Sequence, residues 1–291
     1  QSGGFDLFEV QSVRFGAQPV VVSLNSKVPS IGGLVTSAGP ASSASVQIAA
    51  GQFSSPNTAD AGGVAFAPVL NGTTTIRTSI PGFVAVKRVT NGDSIDVTVS
   101  PPTISPPANV DVGAGLQKFT GFTLTGSGHG PVTLHIASSQ PSVALVSLNA
   151  TSPGQASVDT TITASTFSVS YLVHGVAGAQ GAPTITVTAN GYTQGIDTAT
   201  VVQPALDIGG LFPNPAANDP DDDFIVRLGI PSQNGTVINE YQGRSINAGP
   251  LTVTVNSNNT AVGGLKTNSM TGPGSATVQV VPGQLGTPSF A

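Results

Sequence analysis

The sequence predicts an all-β chain of tandem β-sandwich modules, and three observations carry that reading. A strand-and-turn pattern occurs three times: Leu134, Ile136, Ser138, Pro141 and Val143 are matched upstream by Val22, Leu24, Ser26, Pro29 and Ile31, and downstream by Val253, Val255, Ser257, Thr260 and Val262. The runs 94–100, 158–163, 167–173, 184–188 and 251–255 alternate apolar with polar residues at period two, the signature of half-buried strands. Long helical patterns are absent, and the punctuation is turn chemistry: Asn71-Gly72, Asn91-Gly92, Asn190-Gly191, Asn234-Gly235 and Gly272-Pro273. Many short strands so punctuated spell a sandwich.

The outer copies are the closer pair. Residues 9–36 lie over 240–267 at a constant offset of 231 positions (9 to 240), with identities at Glu9, Gln11, Ala17, Pro19, Val22, Asn25, Ser26, Gly32, Gly33, Leu34 and Thr36. After a one-residue slip, 43–52 lies over 275–284. The middle copy is more distant, so two module types alternate and the chain holds a little more than one period.

Two joints divide the copies. Prolines at 101, 102, 106 and 107 remove four backbone donors and stop a central strand from running through; Thr200 to Pro204 reads as the second joint. The expected modules are 1–101, 102–203 and 204–291, strung as beads in an elongated rod. Module three carries a leading segment, 207–232, that module one lacks; module one carries a trailing segment, 62–99, that module three lacks. The outer two modules are therefore expected to be incomplete, with unpaired strand edges and an open apolar face. Either these residues are a window on a longer repetitive protein, or neighbouring chains complete one another by strand complementation.

Composition narrows the function classes. Charged residues are 8% of the chain, against about 25% in ordinary domains, so Ser, Thr, Asn, Gln and Gly must cover the surface. A hydrophobic fraction of 38% and a mean hydropathy of +0.20 separate it from disordered chains. Nine Lys and Arg against fourteen acids, with no basic cluster, give nucleic-acid binding no footing. No apolar run approaches a membrane span and no signal segment occurs. Zero Cys excludes disulfides and thiolate metal sites without fixing the compartment.

The pattern of 134–143, the runs 156–159 and 167–179, the run 184–192 ending Asn190-Gly191-Tyr192, and Gly72 to Ile76 followed by Pro81-Gly82-Phe83 resemble tandem bacterial immunoglobulin-like (Big-type) repeats of large surface or secreted adhesin-like proteins. The resemblance covers nearly the whole chain. It implies immunoglobulin-like sandwiches, an extracellular or cell-surface location, and a structural or adhesive role without catalysis. It carries over no functional residues.

The sequence offers little reactive chemistry. Of three histidines, His129 falls in a turn, while His135 and His174 read as isolated polar strand positions; no metalloprotease spacing is present. No nucleophile elbow occurs, and Gly113 to Gly115 and Gly175 to Gly178 lack the helix a phosphate cradle needs. Phe83 and Tyr192 read as packing positions. One constellation stands out: Asn218 with Asp219, Asp221, Asp222 and Asp223, where carboxylates beside the second joint could hold Ca²⁺ and stiffen it. The spacing is not that of an EF-hand, Pro220 interrupts it, and an exposed acidic loop is ordinarily just solvated. No other cofactor is expected.

The functional expectation is a structural repeat region of an extracellular bacterial protein: a stalk, shaft or filament subunit whose nearly uncharged surface permits end-to-end or lateral self-association. The alternatives are an adhesive ligand- or carbohydrate-binding module and an accessory domain of a secreted enzyme.

Overall fold

The computed structural model describes residues 11–84, 92–107, 109–126, 131–163, 166–217, 219–268, 270–271 (backbone only) and 274–290. The chain divides into two compact units, Gln1–Pro101 and Pro102–Ala291. Regular structure is almost entirely β; among the described residues the helical exception is one 3-10 turn, Ile246–Ala248. His129, Asn91, Asn218, Glu9 and the Gly272-Pro273 turn lie outside the described residues.

The first unit contains β1 (Val20–Ser26), β2 (Gly32–Thr36), β3 (Gly39–Ala41), β4 (Ser43–Ile48), β5 (Ala65–Pro68), β6 (Gly72–Ser79) and β7 (Ser94–Val99). They form a four-stranded sheet ordered β4-β1-β6-β7 and a three-stranded sheet ordered β3-β2-β5. Alternating Thr, Val and Ile place Leu34, Val46 and Ile76 inside with two polar side chains, Ser26 and Thr74. Those hydroxyls are satisfied: Ser26 Oγ donates to the Gly32 carbonyl at 2.6 Å and lies 3.2 Å from Thr74 Oγ1, which accepts the Val28 N–H at 3.0 Å. Gly32 is needed because a Cβ there would sit inside the Phe66 ring.

The second unit begins with β8 (Ile104–Ser105), β9 (Val110–Gly113), β10 (Leu116–Leu124), β11 (Val132–Ser138), β12 (Ala144–Ser147), β13 (Ser157–Ile162), β14 (Ser168–Gly175), β15 (Thr184–Ala189) and β16 (Gly195–Val202). It continues with β17 (Ala205–Gly209), β18 (Ile225–Pro231), β19 (Ile238–Tyr241), β20 (Gly243–Arg244), β21 (Leu251–Asn256), β22 (Lys266–Thr267), β23 (Met270–Thr271) and β24 (Ser275–Val280). Residues on both sides of Pro204 belong to this unit, and only Gln203 and Pro204 separate β16 from β17.

Two sheets, β12-β14-β10-β20 with β8 also on β10, and β13-β11-β15-β16-β9, share one core. Phe122, Tyr171 and Val173 meet Leu134, Ile136, Val187 and Val201 across it. A second core gathers Phe224, Val226, Leu228, Val253, Val280 and Phe290, and β10 contributes Leu116 to it. Phe224 and Phe290 stack with centroids 5.1 Å apart, and each backbone N–H donates to the other's carbonyl, at 2.8 and 2.7 Å.

The sequence repeat is a structural repeat. β1 pairs β4 from Val20↔Ile48 to Asn25↔Ser43, and β21 pairs β24 from Leu251↔Val280 to Asn256↔Ser275, the same register at the sequence offsets. Ser257 Oγ donates to the Gly263 carbonyl at 2.6 Å, as Ser26 does to Gly32. The Val13 N–H donates to the Gln52 carbonyl, as Arg244 does to Gln284, both at 2.8 Å. In the middle copy, β11 lies between β13 and β15 as β1 lies between β4 and β6, and the strand-closing Ser138 N–H donates to Ala156 O as Ser26 N–H does to Ser42 O.

Candidate functional site

The richest cluster of buried polar groups lies within the second unit, where residues 240–249 meet the backbone of 111–175. β20 is the mechanical base of this junction: it pairs antiparallel with the start of β10, Leu116↔Arg244 and Gln117↔Gly243, and so adds a strand from the second half of the unit to a sheet of the first.

Side chains on either side of β20 complete the contact. The Gln242 carboxamide behaves like a peptide group of a neighbouring strand: its Oε1 accepts the Gly113 N–H at 2.9 Å and its Nε2 donates to the Asp111 carbonyl at 2.8 Å. The Asn247 carboxamide grips Gly154 the same way, accepting its N–H at 2.6 Å and donating to its carbonyl at 3.0 Å. Arg244, almost fully buried, meets no carboxylate among the described residues; it donates to the carbonyls of Gly249 and Ala248, both at 2.8 Å, and of Gly115 at 3.2 Å. Burial lowers its pKa, and three carbonyl dipoles keep the charge solvated. At the rim, Lys118 Nζ donates to Glu240 at 2.7 Å.

His174 sits at the centre, fully buried with Ser147 and Ser245. Ser147 Oγ donates to the Asn149 carbonyl at 2.9 Å, so its contact with His174 Nε2 at 2.8 Å must be one in which the ring N–H donates. Nδ1 is then the acceptor, and Ser245 Oγ–H donates to it at 3.0 Å. The hydrogen bonds thus specify a neutral imidazole protonated at Nε2, and burial pushes its pKa down to about 4. A serine on each ring nitrogen is the raw material of nucleophilic catalysis, and here all three side chains are buried. What the arrangement does is lock two β segments together through backbone groups that would otherwise be buried unpaired.

These positions correct the sequence reading of the histidines as isolated polar positions. His174 is the hub of a buried network, and His135 Nδ1 lies 2.6 Å from Asp159 Oδ1 on the neighbouring strand. Junction residues escaped notice because their partners are backbone groups far upstream. The available signal was the recurrence of Glu240 and Gln242 as Glu9 and Gln11.

The acidic residues singled out from sequence are engaged separately. Asp219 accepts the Ala216 N–H, Asp222 the Phe212 N–H, and Asp221 pairs with Lys266 at 2.7 Å. Asp223 lies beside them in sequence, its backbone carbonyl close to Gly210. Among the described residues no three His, Asp or Glu side chains converge in a metal-holding group.

No protein-family model matches the chain and no curated protein matches it. Among solved structures it is similar to a glycosyl hydrolase family 2 member from Bacteroides cellulosilyticus, at 12% identity and a TM-score of 0.27, over 64% of this chain and 29% of that one. It is likewise similar to native E. coli alpha-2-macroglobulin, at 13% identity and a TM-score of 0.23, over 66% of this chain and 15% of that one. The chain spans less than a third of either neighbour, and superpositions this loose carry no argument about activity.

Proposed function

We propose that this chain is a structural repeat region of an extracellular bacterial protein, built of immunoglobulin-like modules of the Big type and serving as a stalk or filament segment without catalysis. The observation that supports this most directly is the hairpin built twice in one register, Val20↔Ile48 and Leu251↔Val280, within one polypeptide. A chain that reiterates one β unit has committed its residues to a repeated scaffold. The junction fits the same role. Force along the chain loads β20 against β10 and the carboxamide grips of Gln242 and Asn247, and several hydrogen bonds must break together before the halves of the second unit separate.

Single-molecule stretching between the termini tests this. The expected trace shows discrete rupture peaks, with the junction among the stronger ones; a smooth extension without peaks refutes the load-bearing role.

A further inference from the structure

In two of the three copies the repeated strand is paired on both edges. β1 has β4 on one side and β6 on the other, from Ser23↔Ser79 to Ser26↔Ile76; β11 has β13 and β15. The N–H one position past the strand-closing serine then donates to that further strand: Lys27 to Thr75 O at 3.0 Å, and Ser139 to Thr184 O at 2.9 Å. The third copy differs. Among the described residues β21 pairs only with β24, and the equivalent of Lys27 and Ser139 is Asn258.

Among the described residues a second strand of the same copy is paired on one side where its counterpart is paired on two. β2 pairs with β3 and also with β5, from Gly32↔Pro68 to Val35↔Ala65. Its counterpart β22 pairs, among the described residues, with β23 alone. The side chains agree with the backbone. Ile31 is half-buried beneath Gly72, whereas its counterpart Val262 is 85% exposed. A Cβ on Gly32 would enter the Phe66 ring; on Gly263 it would meet nothing within 4 Å. One continuous stretch, residues 65–79, accounts for both closures in the first copy.

We infer that the β21 and β22 edges of the third copy are a docking site for one kind of occupant, a strand pair of the 65–79 type carried by a further copy of the repeat. Its recognition elements are an apolar ring in the place of Phe66, a glycine in the place of Gly72 over Val262, and a Thr-x-Ile alternation that lays Thr and Ile on the third copy's core while the backbone pairs with Thr254, Asn256 and Asn258. Nothing in this inference requires a mechanical role. Force spectroscopy tests the shaft reading, and amide exchange tests the capture, so either fails alone.

Ala59 aligns with Ala291, so residues 60–101 appended after Ala291 supply the occupant at the spacing it has in the first copy. Hydrogen exchange on the full chain and on the extended chain reads the result. Capture slows the Thr254, Asn256 and Asn258 amides on the order of tenfold or more and protects the appended residues. In addition, Gly263→Ala, silent in the 291-residue chain, abolishes that protection in the extended one. Should the extended chain fail to fold, the peptide 60–101 added to the 291-residue chain gives the same readout. Free-chain exchange in the added segment, or protection there with β21 unchanged, overturns the inference.

Discussion

His174 is held between two hydroxyls whose other hydrogen bonds decide its protonation, and this gives the molecule a specific pH response. The folded pKa is lowered to about 4 from 6.5, so the unfolded chain binds the extra proton first as pH falls. The stability contributed by the buried neutral ring is fully present above pH 6.5 and is lost between 6.5 and 4, by on the order of 3 kcal/mol over that window. Chemical-denaturation midpoints measured from pH 7 to 4 should fall in the native protein, and His174→Gln should flatten the slope while lowering the midpoint at pH 7. Asp197 works in the opposite sense. Burial raises its pKa despite the Thr198 N–H, and its Oδ2 and the Tyr171 hydroxyl, which also feel each other electrostatically, find no hydrogen-bond partner among the described residues. Its stabilising contribution is present below the carboxylate's normal pKa and is lost as pH rises through the folded value. Asp197→Asn keeps the acceptor for Thr198 and removes the charge, so it should raise stability at pH 7 and leave acidic samples unchanged.

At the scale of elements, the strands were legible and the junction was not. Residues 184–188 and 251–255 announce themselves because alternating Thr with Val or Ile leaves one apolar face per strand, and the outer hairpins align on their sequence identities alone. Gln242 gives no such sign, because a carboxamide on a short strand has no periodicity and its partners, Gly113 and Asp111, are 129 and 131 residues upstream. That distance makes its replacement informative. Gln242→Ala strands a buried N–H and a buried carbonyl, at a cost of about 2–3 kcal/mol, and the Gly113 amide should exchange much faster. Gln242→Glu retains the acceptor for Gly113 but turns an oxygen toward the Asp111 carbonyl, so its loss of stability should be larger at pH 7 than at pH 4. Equal losses at both pH values would reject the assigned carboxamide orientation. Gly32→Ala and Gly263→Ala form a second matched pair. Only the first meets a ring, so it should cost about 1–3 kcal/mol while its repeat-mate is neutral in the 291-residue chain.

For the whole molecule, the question is which parts unfold together. The sequence marked a boundary at Pro204, yet the cores on its two sides are joined by β20 on β10, by Leu116 packing with Phe224, and by the His174 network. Separating them would expose Leu116, take the Gly115 carbonyl away from Arg244, and unpair the backbone of Gly113, Gly115 and Gly154. Each of those losses is of order 1–3 kcal/mol, and together they are comparable with the stability of an average domain. Residues 102–291 should therefore melt as one cooperative transition. Phe290→Ala, which empties the far end of the second core, supplies the test: amides of β11, in the first core and outside the second, should lose protection in parallel with those of β24. If β24 opens while β11 keeps its native exchange rates, the two cores are energetically independent, and the hydrogen bonds of the junction position them without coupling their folding.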